Sequence, residues 1–201
     1  LEAAAKILRS ELDPTRAGAA LKVGPRTETA TLRRYMKTAL ELASQRSLFL
    51  GDVTQTARRV TEACVAALEV ERVSVWFLDV PKMKLTCADL FERTPGKHSS
   101  GIEISSKDVS AYFVALWEER TIAAHDAVTD PRTSCFAETY LKPLGIGAML
   151  DVPLWTAGRM AGVLCHEHVG GKRSWTSDEE DFAYLVSTFI AMALERAAPA
   201  T

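Results

Sequence analysis

The 201-residue sequence predicts an α+β domain, a central antiparallel sheet of five or six strands with helices mainly on one face. Three observations carry this prediction. Residues 146–169 read as a long β-hairpin: apolar and polar positions alternate at period two on both sides of Ala157-Gly158, a tight-turn dipeptide. Residues 176–198 read as a helix with two apolar stripes, one of Phe182, Leu185, Phe189 and Met192, the other of Val186, Ile190 and Ala193. Between them and the N-terminal part, segments of helical and strand period follow in the order helix, two strands, helix, strand, helix.

Composition bounds the function. The chain is 47% hydrophobic and 25% charged with a net charge of -2, an ordinary globular balance with no basic run for nucleic acid or an anionic membrane. Its apolar stretches break well short of the ~20 residues a membrane span needs. The opening Leu-Glu-Ala-Ala-Ala-Lys is a helix former rather than a secretory leader, and a start on Leu1 is what is expected of a fragment or a processed chain. Cys64, Cys87, Cys135 and Cys165 form no Cys-x-x-Cys pair and sit among apolar neighbours, as expected of reduced, buried thiols in a cytoplasmic module.

In chain order, residues 1–12 are expected to be helical and to stop at Asp13-Pro14, with a linker to Arg26. Residues 27–45 form a second helix. Leu32, Tyr35, Ala39 and Leu42 make a short a/d seam, which suits either a partner helix or packing on its own domain. Residues 1–46 are therefore set apart as N-terminal helices and linker, and 47–198 as the globular domain. Residues 51–68 form a helix capped by Asp52 with Gln55, burying Val53, Ala57, Val60, Cys64 and Ala67. Strands follow at 72–79 and 85–92, then a loop at 93–100. A helix is expected over 106–119 with Ser105 or Ser106 as its cap, a strand over 121–126, and a helix over 133–144 stopped by Gly145. Thr176 or Ser177, with Glu179 or Glu180, opens the last helix as a capping box.

Leu150-Asp-Val-Pro-Leu, Gly158-Arg, Gly162-Val-Leu-Cys-His-Glu-His-Val-Gly and Trp175-Thr-x-x-Glu resemble the end of a GAF domain. The resemblance runs over roughly 48–196. It implies a sensory module of a bacterial signalling protein, of histidine kinase or diguanylate cyclase type within a two-component or related system. Terminal helices would lie behind the sheet and dimerise, and two short helices would roof a small-molecule pocket in front. The corresponding phytochrome hairpin implies a pocket face of Met149, Asp151, Pro153, Val163, Cys165 and Glu167. Trp76 falls where phytochromes place a pocket tyrosine, and the roof would add Phe113, Trp117, Asp126, Phe136 and Tyr140.

The resemblance names no cofactor or ligand. Asp151 and Glu167 read either as acceptors for ligand amine or hydroxyl groups or as anchors for the roof, since a buried carboxylate must be paired in both cases. His166 and His168 share one strand face and Cys165 the other, so structural histidines are expected rather than a metal site. Gly171-Lys172 and Trp175-x-x-x-Glu179-Glu180 resemble the cyclic-nucleotide GAF signature with substitutions, implying a lysine–acid bridge under the pocket. Covalent bilin attachment is not expected, because Phe136-Ala137 stands where Cys-His would be. The catalytic cysteines of free methionine sulfoxide reductases are likewise not recognisable, so the chain is expected not to be an enzyme. The first alternative is a ligand-free dimerisation module; behind it stand a tetrapyrrole- or cyclic-nucleotide-binding GAF domain and a methionine sulfoxide reductase-like enzyme.

Overall fold

The computed structural model describes residues 25–81, 83–105 and 109–198. The chain divides into two compact units, Leu1–Arg33 and Arg34–Thr201. The described part of the first is the opening of helix α1 (Pro25–Ala43). The expected 1–12 helix and the linker up to residue 24 lie outside the described residues.

The second unit holds the rest of α1, a short helix α2 (Arg46–Leu50), α3 (Val53–Leu68), α4 (Ser110–Glu118) and the long C-terminal α6 (Ser177–Ala197). Strands β1 (Arg72–Asp79), β2 (Lys84–Glu92), β3 (Lys97–Ser99), β4 (Glu103–Ser105), β5 (Ile122–Ala124), β6 (Ile146–Thr156) and β7 (Arg159–Val169) form one antiparallel sheet. Its order is β3-β2-β1-β7-β6-β5, with β4 also paired to β2. The sheet therefore has seven strands where five or six were expected. The additional pair, β3 and β4, are three residues each, too short for an alternating pattern to register. Among the described residues no helix is long and apolar enough to cross a membrane.

The hairpin forms as read. Thr156 pairs with Arg159 across a two-residue turn with φ 45° at Ala157 and 75° at Gly158, the left-handed pair of a type I′ turn. Period two then sorts the side chains onto two faces. Leu150, Val152, Leu154 and Leu164 are fully buried behind the sheet with Val60, Cys64 and Leu68 of α3 and Val186 and Ile190 of α6. Met149, Val163, Cys165 and Trp76 face the other way, into a second cluster with Tyr112, Phe113 and Leu116 of α4. Gly162 is required where β7 passes β1, because a Cβ there would lie 1.9 Å from the Trp76 carbonyl oxygen. A bulge leaves Ala88 without a partner on β1. Past it, Asp89 reaches α3, where its Oδ2 accepts from the Thr61 hydroxyl at 2.6 Å, and Leu90 returns to the front cluster.

Two of the three expected N-caps form: Asp52 accepts from the Gln55 amide at 3.0 Å, and Thr176 with Glu179 makes a complete capping box. The start of α4 differs from expectation. Ser105 ends β4, and Val109 precedes the helix without a side-chain cap; the alternative cap, Ser106, lies outside the described residues. The 133–144 helix is irregular. A 3₁₀ turn (Ser134–Phe136) passes into a π turn (Ala137–Leu141) and one α-helical turn, α5 (Lys142–Leu144), before Gly145 stops it at φ 66°. Pro143 has no N–H to return to the Thr139 carbonyl, which favours the looser turn before it.

Three of the four α1 seam residues pack within their own chain, and Leu32 is 49% exposed. Tyr35, Ala39 and Leu42 are buried, and the Tyr35 ring stacks on Phe182 of α6 at 4.8 Å. The Val186, Ile190 and Ala193 stripe is fully buried, so it needs no helix from another copy to cover it. The large apolar side chains that α6 leaves exposed are Tyr184, Leu185 and Met192.

Candidate functional site

A cavity of about 290 Å³ lies in front of the sheet, under α4 and the 134–144 segment. Strands supply Trp76, Leu85, Met149, Val163, Cys165 and Glu167 to its wall; Tyr112, Phe136, Thr139 and Tyr140 come from above, and Ile102, Glu103, Ile104, Ser105 and Val109 close one side. Of the residues expected here, Trp76, Phe136, Tyr140, Met149, Val163, Cys165 and Glu167 meet around it. The others are placed elsewhere. Phe113 is buried in the front cluster off the cavity, and Pro153 of the hairpin is likewise buried off it. Trp117 is 43% exposed and meets Trp155 edge-on at 5.8 Å. Asp126 pairs with Lys172 at 2.7 Å in a separate surface cleft beside Gly145–Gly147 and Gly170–Gly171. Asp151 is fully buried one layer behind Tyr112. For the roof helix the cause is the rotation of α4. One residue is 100° of helix, and the turn that faces the cavity presents Val109 and Tyr112 rather than Phe113 and Trp117.

Tyr112 is the important residue that sequence reasoning missed. Its only signal is the 109–112–116 spacing, which competes with 109–113–116–117 in the same helix. Its hydroxyl donates to Asp151 Oδ2 at 2.8 Å and lies 3.6 Å from Cys165 Sγ. Asp151 Oδ1 has no hydrogen-bond partner. Burial pushes this carboxyl up to about 7, opposed by the Tyr112 hydrogen bond and reinforced by the charge of Glu167.

Glu167 is held from two sides. Arg72 Nε donates to its Oε2 at 2.8 Å, and the Tyr140 hydroxyl donates to its Oε1 at 2.8 Å. Burial raises its carboxyl above the usual range while Arg72 opposes that rise. The same guanidinium also pairs with Glu92. No local pattern points to this partner, which lies on β1 and is brought to Glu167 by direct cross-strand register. The Trp76 indole N–H donates to Ser74 Oγ at 2.8 Å. Burial pushes the Cys87 thiol up to about 12 and Cys165 well above its ordinary value, so both stay protonated and are weak nucleophiles. The arrangement is suited to binding: an aromatic and aliphatic chamber with a few fixed polar groups at one end.

The histidines do structural work. His166 faces the back of the sheet, fully buried, with Nδ1 2.7 Å from the Leu150 carbonyl; burial pushes it down to about 4, so it is neutral there. His125 Nδ1 accepts from the Trp175 amide at 3.0 Å. Among the described residues no three His, Cys, Asp or Glu side chains gather as a metal site would require. Lys172 bridges to Asp126, while Glu179 of the last helix is taken by Arg173, which also donates to the Leu68 carbonyl at 2.7 Å.

The comparisons with known proteins agree with this architecture. A family model for the GAF domain matches residues 52–194. No curated protein matches the chain. Among solved structures, the GAF domain of an Acinetobacter phosphoenolpyruvate-protein phosphotransferase superposes with a TM-score of 0.62 at 15% identity, over 86% of this chain and 95% of that one. The free methionine-R-sulfoxide reductase of Neisseria meningitidis, solved in complex with its substrate, gives 0.65 at 14% identity, over 89% and 96%. The GAF domain of Thermosynechococcus elongatus PixJ, in its blue-light absorbing form, gives 0.58 at 23% identity, over 76% and 90%. At these identities the likeness is one of fold. The family model covers most of the chain, and the chain belongs to the GAF domain family of sensory and regulatory modules found in signalling proteins.

Proposed function

We propose that this chain is the ligand-sensing module of a larger cytoplasmic bacterial signalling protein, binding a small molecule in the front cavity and passing the signal to an output domain of histidine kinase or diguanylate cyclase type. The observation that carries the reading is the cavity itself, about 290 Å³ with rings on several sides and Glu167 held ready at one end. Residues 1–46 serve in this reading as the signalling and dimerisation segment, and 47–198 as the sensor. The module regulates rather than catalyses: Cys64 lies behind the sheet, Cys87 and Cys165 in front, and Cys135 is exposed.

A thermal-shift screen of a small-molecule library tests the reading. A ligand that prefers the native state raises the melting temperature by mass action. Thr139 stands exposed at the rim, so Thr139→Trp plugs the mouth with little disturbance of the core. Hits are expected to lose their shift in that variant. A library with no hits, or hits indifferent to the plug, refutes the reading.

The second reading, a ligand-free dimerisation module, is favoured by one observation: Leu185 and Met192 lie seven residues apart on α6 and are 41% and 48% exposed. Homodimerisation through the terminal helices belongs to both readings. Sedimentation equilibrium checks it, with Leu185→Glu expected to split the dimer.

A further inference from the structure

The cavity carries two independent signs of what it accepts. The first is aromatic. Trp76, Tyr112, Phe136 and Tyr140 all line it, and the Tyr112 and Phe136 rings stand 5.0 Å apart at 79°, forming a corner. The polar tips of three of these residues are already engaged: Trp76 with Ser74, Tyr112 with Asp151, Tyr140 with Glu167. The Tyr140 ring already has the Arg72 guanidinium 5.9 Å from its centroid. What remains for a ligand is the surface of the other three rings, and electron-rich ring faces attract organic cations, most strongly where water is excluded.

The second sign is charge. Glu167 and Glu92 share one guanidinium, that of Arg72. Asp151 is fully buried, has no cationic partner among the described residues, and keeps one oxygen without any hydrogen bond. Two carboxylates against one cation leave this end of the cavity short of positive charge. Arg72, already shared and absent from the cavity wall, has nothing to offer an anionic ligand.

We propose that the cavity binds an organic ammonium ion, its cationic nitrogen held among the Trp76, Tyr112 and Phe136 rings with Glu167 as counter-charge and its apolar body against Met149 and Val163. This rests on the reading of the cavity as the sensory site and names the ligand class for it. The volume of about 290 Å³ is at the small end for ligand pockets and suits a compact amine.

Calorimetric titration of the wild-type chain tests the proposal with choline and phenethylamine, their uncharged counterparts 3,3-dimethylbutan-1-ol and 2-phenylethanol, and the anion phenylacetate. At least one ammonium compound is expected to bind about tenfold or more tightly than its uncharged counterpart. Glu167→Gln removes a counter-charge and Phe136→Leu removes a ring while keeping an apolar filler; both are expected to erase most of that preference. If either variant melts early, the wild-type selectivity decides alone. Equal binding of the uncharged counterparts, or tighter binding of phenylacetate, overturns the ammonium proposal and leaves the sensory reading standing. No binding by any of the five at millimolar concentration also overturns the proposal. The sensory reading falls with it only if the wider library yields no plug-sensitive hit.

Discussion

Replacing Asp151 by Asn should change how stability depends on pH far more than stability at any one pH. In the folded chain the carboxyl is fully buried with one unpartnered oxygen, and burial lifts it from an ordinary 3.8 to about 7. In the unfolded chain it returns to the ordinary value. Between the two values the native state holds a proton that the unfolded state has lost, so stability falls as pH rises through this window. The contribution is fully present below about pH 4 and gone above about pH 7. One pKa unit corresponds to about 1.4 kcal/mol, so the raised value implies a loss of about 2–3 kcal/mol between pH 5 and pH 8. The amide that replaces the carboxyl carries no titrating proton and should lack this slope. Urea unfolding of both proteins at pH 5, 6, 7 and 8 measures the difference directly, because every other titrating group is common to the pair. Wild type is expected to lose about 2–3 kcal/mol relative to Asp151→Asn across that range. Parallel curves would mean that Asp151 is ionised at all four values, and the account of an uncompensated buried carboxyl would be refuted.

Three further substitutions probe the frame that holds the site. Gly162→Ala places a Cβ against the Trp76 carbonyl where the gap is 1.9 Å, so the two central strands must part; equilibrium unfolding should show a loss of about 3 kcal/mol or more. Arg72→Met leaves Glu167 buried without its cation and should cost about 3–5 kcal/mol, whereas Arg72→Met with Glu167→Met should recover a substantial part of it; a double-mutant cycle in urea measures the coupling. Thr176→Ala breaks the capping box of α6 and should cost about 1 kcal/mol in the same assay.

What the sequence determined by itself is local and periodic. Alternation along 146–169 assigned Leu150, Val152 and Leu154 to the helical side and Met149 and Cys165 to the other, because one residue of register reverses every side chain. Asp52, Thr176, Gly145 and Ala157-Gly158 marked their caps and turn because each satisfies a backbone requirement within a few residues. The GAF resemblance rested on the same short matches and identified the fold. The tertiary structure alone decided which front-face residues line the cavity. Tyr112 replaces Phe113 and Trp117 there because α4 packs at one rotation out of several that its apolar residues allow. The 35–39–42 seam covers Phe182 within the chain, although the same spacing would serve a partner helix. Arg72 reaches Glu167 across 95 residues of sequence, a pairing set by the order and register of β1 and β7. Asp151 acquires its unpartnered oxygen from the same assembly. Period and capping are properties of neighbouring residues, whereas rotation, strand order and the balance of buried charge exist only once distant segments have packed.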